Sequence, residues 1–350
     1  VDGAEVVHDS VSVLHGQRVE RTFDELEVEL IDGDERALKR LEKRLRRAGA
    51  ADGERRPKLF RALDLAYDSD PGEAPRDSTA AAALATAFRT QHARMLAHDP
   101  GTRLGADPES LHQLRVATRR LRAFLRAARP LLDPEWADEL RAELGWLGSA
   151  LGAARDLDVL ADHLGREAAR LDGPDVAGAN VVLREVAKER RATRRRVVRA
   201  LRSDRYLTLL DRLEEAGDPP LASAAADAPS LTDVWRGEHA KLHRAVRSLG
   251  AEPADDALHE VRIKVKRARY AAELARLDGY VRAARSPQDV LGEHQDAVVA
   301  EARLRAVAET HPEAALAAGR LVERERARRA RTRETWREHV RALAKQAKKA

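Results

Sequence analysis

The spacing of apolar residues divides the chain into two stretches with different periods. Up to about residue 30, hydrophobic and polar positions alternate, so Val6–Leu14 and Val19–Leu30 read as strands joined by a turn at His15-Gly16-Gln17-Arg18. Leu38, Leu41 and Leu45 then recur at three and four residues, which predicts a helix from Asp34 to Gly49. Residues 57–65 add a short strand or helix, and residues 66–78, with two prolines, a glycine and several turn formers, have the composition of a linker. From Thr79 the period is helical to the end, with helices expected near 79–98, 108–129, 134–170, 176–216, 231–250, 255–277, 280–305 and 312–347. Breakers such as Pro100-Gly101, Pro130, Gly173-Pro174 and Pro219-Pro220 separate them.

The helical stretch repeats itself. Leu111-His112-Gln113-Leu114-Arg115-Val116 aligns with Leu258-His259-Glu260-Val261-Arg262-Ile263, and the match continues through Arg119/Lys266, Arg120/Arg267 and Arg122/Arg269. Further on, Leu151-Gly152-Ala153-Ala154-Arg155-Asp156 matches Leu291-Gly292-Glu293-His294-Gln295-Asp296. Two motifs in the same order at similar spacing indicate a duplicated four-helix unit. The expected fold is mainly α: duplicated four-helix bundles with pseudo-twofold symmetry, plus a small N-terminal α+β segment. The expected boundaries are 1–65 for that segment, 66–78 for the linker and 79–347 for the helical domain, with repeats over 79–217 and 230–347.

Composition narrows the chemistry. The chain has no cysteine, which removes disulfides, thiolate metal sites and Cys nucleophiles together. No apolar run is long enough for a transmembrane helix, so no membrane partner is expected, and without a signal-like opening a cytoplasmic location is the default. Net charge is only +5, yet residues 108–129, 184–205, 258–276 and 320–349 are each strongly basic. The remainder of the chain must therefore be acidic, and such segregation gives a nearly neutral molecule a local field suited to a polyanion.

The basic residues also have direction. On a helical wheel His112, Arg115, Arg119, Arg122 and Arg126 form one stripe, opposite Leu114, Leu121, Phe124 and Leu125. His259, Arg262, Lys266 and Arg269 repeat it, although Lys264 intrudes on the expected core side. Lys188, Arg191, Arg195 and Arg199 form a third ridge, and Arg324 and Arg331 align on the last helix. Like charges one turn apart repel by a few tenths of a kcal/mol per pair. A multiply charged anion removes that repulsion and supplies bidentate acceptors for guanidinium forks, a role phosphate fills best. His112 and His259 stand in the first turns of their helices, where the dipole disfavours imidazolium; a bound phosphate would raise their pKa and strengthen binding at mildly acidic pH.

The duplicated His-x-x-Arg-x-x-x-(Arg/Lys)-Arg-x-Arg pattern, followed by Leu-Gly-x-x-Arg-Asp-Leu-Asp-Val, resembles the CHAD domain, the conserved-histidine α-helical domain, over about 79–346. The resemblance implies two four-helix bundles facing each other across a basic channel that binds inorganic polyphosphate, contacted also by Arg155. With the cytoplasmic default, polyphosphate granules are the expected associated site. Gln295 stands where the first repeat has Arg155, which removes one cation from the second half. Residues 6–50 resemble the C-terminal part of a CYTH domain, the triphosphate-tunnel fold, through Val7–Val13 and Phe23–Leu30. That resemblance implies Mg or Mn at the acidic strand, with Glu27 and Glu29 as candidate ligands. The family's amino-terminal Glu-x-Glu-x-Lys strand is absent from this sequence.

Three functions follow. The first is non-catalytic polyphosphate binding. The second is metal-dependent triphosphate processing with the helical domain as substrate tether. The third is nonspecific nucleic-acid binding, since only 3% aromatic residues leave little to stack on bases. The helical region carries no Walker loop, His-Glu-x-x-His or Gly-x-Ser-x-Gly motif.

Overall fold

The computed structural model describes residues 3–15, 18–32, 35–51, 53, 61, 79–105, 107–222 and 229–349. The expected linker, and all of 57–65 except Arg61, lie outside them. The chain divides into two compact units, Val1–Pro71 and Gly72–Ala350.

In the first unit β1 (Gly3–His15) and β2 (Arg18–Asp32) form an antiparallel hairpin, with His8 opposite Leu26 and Val11 opposite Phe23. α1 (Glu35–Arg47) follows. It stops where Gly49 takes φ +107°, a left-handed turn that glycine adopts without steric penalty, and Ala50 N donates back to Leu45 O at 3.0 Å.

The second unit is helical. α2 (Ala80–Leu104) starts at a Thr79 cap, and α3 (Pro108–Ala127) starts at Asp107, whose carboxylate accepts from Glu109 N at 2.8 Å. α4 (Pro134–Ala168) is capped by Asp133; α5 (Asp175–Leu201) and α6 (Asp204–Glu215) complete the first repeat. α7 (Leu231–Arg247) opens the second repeat with a capping box of Ser230 and Asp233. α8 (Asp255–Leu274), α9 (Asp278–Ala283), α10 (Arg285–Thr310) and α11 (Ala315–Ala347) follow.

Three expected boundaries are corrected. α2 runs through Pro100 to Leu104, because its last turn is rebuilt: Thr102 Oγ1 donates to His98 O at 2.7 Å, Arg103 pairs with Asp99 at 2.7 Å, and the cap Gly105 N reaches Gly101 O at 2.9 Å. The single helix expected over 176–216 breaks at Arg202-Ser203, where Ser203 caps α6 by accepting from Tyr206 N at 3.3 Å. The helix expected over 280–305 is two, α9 and α10.

The apolar residues form three cores. One joins α2, α3, α6, the first half of α4 and the end of α5, from Leu84 and Phe88 to Leu209 and Leu213. A second joins α7, α8, α9, the start of α10 and the end of α11 around Trp235, Tyr280 and Trp336. Between them lies a third, contributed by both repeats: Leu157, Leu160 and Leu164 of α4, Val182 and Val186 of α5, Ala300 and Leu304 of α10, and Ala318 and Leu321 of α11. Each repeat is thus a bundle whose two long helices continue into a shared central bundle. α4, with 35 residues, is about 52 Å long, enough to serve both cores.

Candidate anion-binding site

α3 and α8, the equivalent helices of the two repeats, pack against each other. Two side-chain contacts hold the crossing: Arg119 Nε donates to Tyr270 Oη at 2.8 Å, and Arg120 Nε pairs with Glu273 Oε1 at 2.9 Å. The aliphatic faces behind are buried, Leu114, Leu121 and Phe124 on α3 and Val261, Val265 and Ala268 on α8. The amphipathic pattern therefore fixes which way each basic stripe turns.

The stripes meet. Arg115 Nη2 donates to Asp156 Oδ1 at 3.0 Å, and in the second repeat Arg262 lies beside Asp296. Gly152 and Gly292 occupy equivalent places behind these arginines: a Cβ added at either would lie 3.8 Å from Arg115 Nε or 3.7 Å from Arg262 Nε. A bare helix surface thus backs each guanidinium. Burial lowers the pKa of both arginines; the carboxylate nearby opposes the shift, and Arg119 reinforces it for each. Arg115 also feels Arg262, a repulsion between the two repeats.

Lys266 stands at the centre. Burial and then the cations Arg262, Arg119 and Arg115 push its ammonium down to about 7, against the pull of Asp296. Asp296 is raised by burial and by Asp156, and lowered by Arg262, Arg328 and Lys266. Its side chain is exposed to water. Asp156 and Asp296 offset the arginines only in part, because Lys266 remains repelled.

His112 borders this cluster. Its Nδ1 is buried without a hydrogen-bond partner, and burial, Arg155, Arg119 and Arg115 hold it below the usual imidazole range, opposed by Glu109. His259 Nδ1 is orphaned in the same way. Farther along α3, Arg122 lies 3.5 Å from where a Cβ of Gly145 or Gly148 would stand, and Arg126 lies among Arg267, Arg141 and Glu238. Arg269 Nη1 donates to Gln288 at 2.8 Å while its Nε is buried and unpaired.

Other sequence candidates lie elsewhere. Lys188, Arg191, Arg195 and Arg199 are exposed on the side of α5 opposite its buried Val186, Thr193 and Val197, and Lys188 pairs with Glu185 at 3.4 Å. No described contact joins them to the α3–α8 cluster. Arg324 is committed to the end of α4, donating to Glu167 O at 2.7 Å and to Glu167 Oε2 at 3.2 Å, which caps that helix rather than leaving a free fork. Arg331 is exposed on α11. Arginines outside the stripes have structural work: Arg190 pairs with Asp158 and Arg194 donates to Thr102 O, both at 2.5 Å. The sequence reading missed Tyr270 and Glu273, which position α3 on α8. Asp156 and Asp296, which the aligned motifs place at equivalent positions, are the carboxylates of the cluster.

Among the described residues the acidic strand gathers no set of metal ligands. Glu25 pairs with Arg61 at 3.1 Å, and Arg61 also lies over the Phe23 ring at 4.0 Å. Glu27 is exposed, opposite Val7. The side chain of Glu29 lies outside the described residues. Among the described residues no group of three His, Cys, Asp or Glu is placed to hold an ion, and no helix is long and apolar enough to cross a membrane.

The chain is thus a duplicated helical protein with a cationic surface where cations of both repeats gather at one crossing. The family model described as "CHAD domain" matches residues 86–305, and the chain belongs to that family. An uncharacterized protein of Mycobacterium tuberculosis, from two strains, is 34% identical over 303 residues, covering 81% of this chain and 57% of that protein. The chain thus spans little more than half the length of those relatives. Among solved structures, the CHAD domain from the plant Ricinus communis matches with a TM-score of 0.64 at 27% identity, over 79% of this chain and 96% of that one. PptA from Streptomyces chartreusis shares the fold, with a TM-score of 0.65 at 24% identity over 74% of this chain and 98% of that chain.

Proposed function

We propose that the chain binds inorganic polyphosphate at the α3–α8 crossing, without catalysis by the helical unit. One observation carries the reading: cations of both repeats, Arg115 and Arg119 of α3 and Arg262 and Lys266 of α8, gather at one crossing, where burial and then Arg262, Arg119 and Arg115 drive Lys266 toward neutrality. Such a gathering opposes folding, and a flexible chain of phosphates relieves it while supplying acceptors to several forks at once. The CHAD resemblance points to the same ligand. His112 and His259 stand at equivalent places one turn before Arg115 and Arg262 on the same stripes.

The test is a calorimetric titration with polyphosphates of graded length, with and without magnesium, scoring phosphate release alongside binding. Affinity is expected to rise with length until the cluster is spanned. Arg262→Gln is expected to weaken binding about tenfold or more, the order of one charge-assisted contact. Unchanged affinity in a folded variant refutes the assignment. Duplex DNA should lose to long polyphosphate in competition at physiological salt; the reverse ranking would favour the nucleic-acid reading.

For the N-terminal unit the CYTH resemblance stays a proposal. With Glu25 engaged by Arg61, the full chain is expected to release no phosphate from tripolyphosphate with magnesium or manganese.

A further inference from the structure

Two lysines stand two residues apart on α8. Lys264 has a carboxylate partner, Glu260, at 3.8 Å. Lys266 has no hydrogen bond or ion pair among the described residues and is surrounded by arginines: Arg262 one turn back on α8, and Arg115 and Arg119 on α3. The acidic groups facing this cluster are Asp296 of α10 and Asp156 of α4, the latter engaged with Arg115. An amine in such a place is both a better nucleophile at neutral pH than an ordinary lysine and surrounded by forks that attract anions.

We propose that Lys266 is an acylation site for small acyl phosphates, whose phosphate the arginines hold while Nζ takes the acyl group. The lone pair of the neutral amine attacks the carbonyl carbon, and the bond from that carbon to the phosphate oxygen breaks. Inorganic phosphate leaves with the bonding electrons, and the nitrogen's proton passes to water. The product is a neutral amide in the middle of the cationic cluster, so acylation removes a charge that a polyanion would use. Only this last consequence rests on the polyphosphate reading; the reaction itself does not.

The full chain is incubated with acetyl phosphate at neutral pH, and occupancy at its ten lysines is followed by peptide mass spectrometry. Because an ordinary lysine is almost wholly protonated at that pH, Lys266 is expected to react about tenfold or more faster than Lys264. That advantage should shrink for an uncharged acyl donor, which the arginines cannot guide. Equal rates at Lys264 and Lys266, or an advantage just as large with the uncharged donor, overturn the proposal. Tripolyphosphate is expected to protect Lys266 alone. Selective acylation without such protection would sink the polyphosphate reading and leave the modification site standing.

Discussion

Lys266 makes a pH prediction with two opposite slopes. Its folded pKa is about 7, against about 10.4 for a lysine in an unfolded chain. Between those values the unfolded chain holds a proton that the native site has released, so this group makes stability rise with pH across that window. A bound polyanion restores the ammonium, so affinity falls as pH climbs through about 7. Melting temperatures of ligand-free protein and Lys266→Met across about pH 7 to 10 check the first slope. The wild type should gain relative to the variant, and parallel curves would contradict the assigned burial. Titrations over the same range check the second. At this scale the α3 and α8 stripes were legible, because a helical period alone aligns Arg115 with Arg119 and Arg262 with Lys266. The wheel gives a direction but not the neighbour found there. Arg324 is aligned with Arg331 yet closes the end of α4, and Tyr270, an unremarkable aromatic in sequence, turns out to hold Arg119.

Among elements, α5 comes close to the turn before α11 and to its first residues. A Cβ on Gly178 would stand 3.0 Å from Ala317 Cβ, 3.2 Å from Glu313 O and 3.3 Å from Ala314 Cα. Two of those three atoms are backbone and cannot swing aside. Gly178→Ala gains up to about 1 kcal/mol of helix propensity, but overpacking costs about 1–3 kcal/mol. The net expectation is a lower melting temperature with affinity for polyphosphate unchanged, checked by thermal denaturation and titration of the variant. A rise in melting temperature would show that the two elements can separate freely. Element types were readable because apolar spacing changes from two to three and four near Asp34. The ends were less so, since Pro100 breaks a helix only when nothing repairs the turn after it. The cap at Ser203-Asp204 was present in sequence but submerged in a continuous basic, helical pattern.

Across the whole molecule, the halves share packed surface. Tyr270 and Leu274 of the second repeat belong to the core of the first, and the central core draws on four helices, two from each repeat. The helical unit is therefore expected to unfold in one step. Variants retaining only Trp136 and Trp146, or only Trp235 and Trp336, report on the two ends separately. Their fluorescence midpoints in urea should coincide, and separated midpoints would mean independent halves. The duplication was legible from the paired motifs, which lie where the long helices pass between cores: Arg155-Asp156 sits between Ala154 of the first core and Leu157 of the central one. The central core was not legible, because nothing in one repeat's sequence says that half of its apolar stripe is reserved for the other.

That reservation bears on the ancestry of the fold. A forebear with one copy of the motif would carry the stripe of Leu157, Leu160 and Leu164 with nothing of its own to cover it. Such a molecule needs a twin, and its assembly then depends on concentration. Joining the copies in tandem replaces that dependence with a tethered encounter at high local concentration. Once joined, the two copies are free to diverge, as Gln295 has from Arg155.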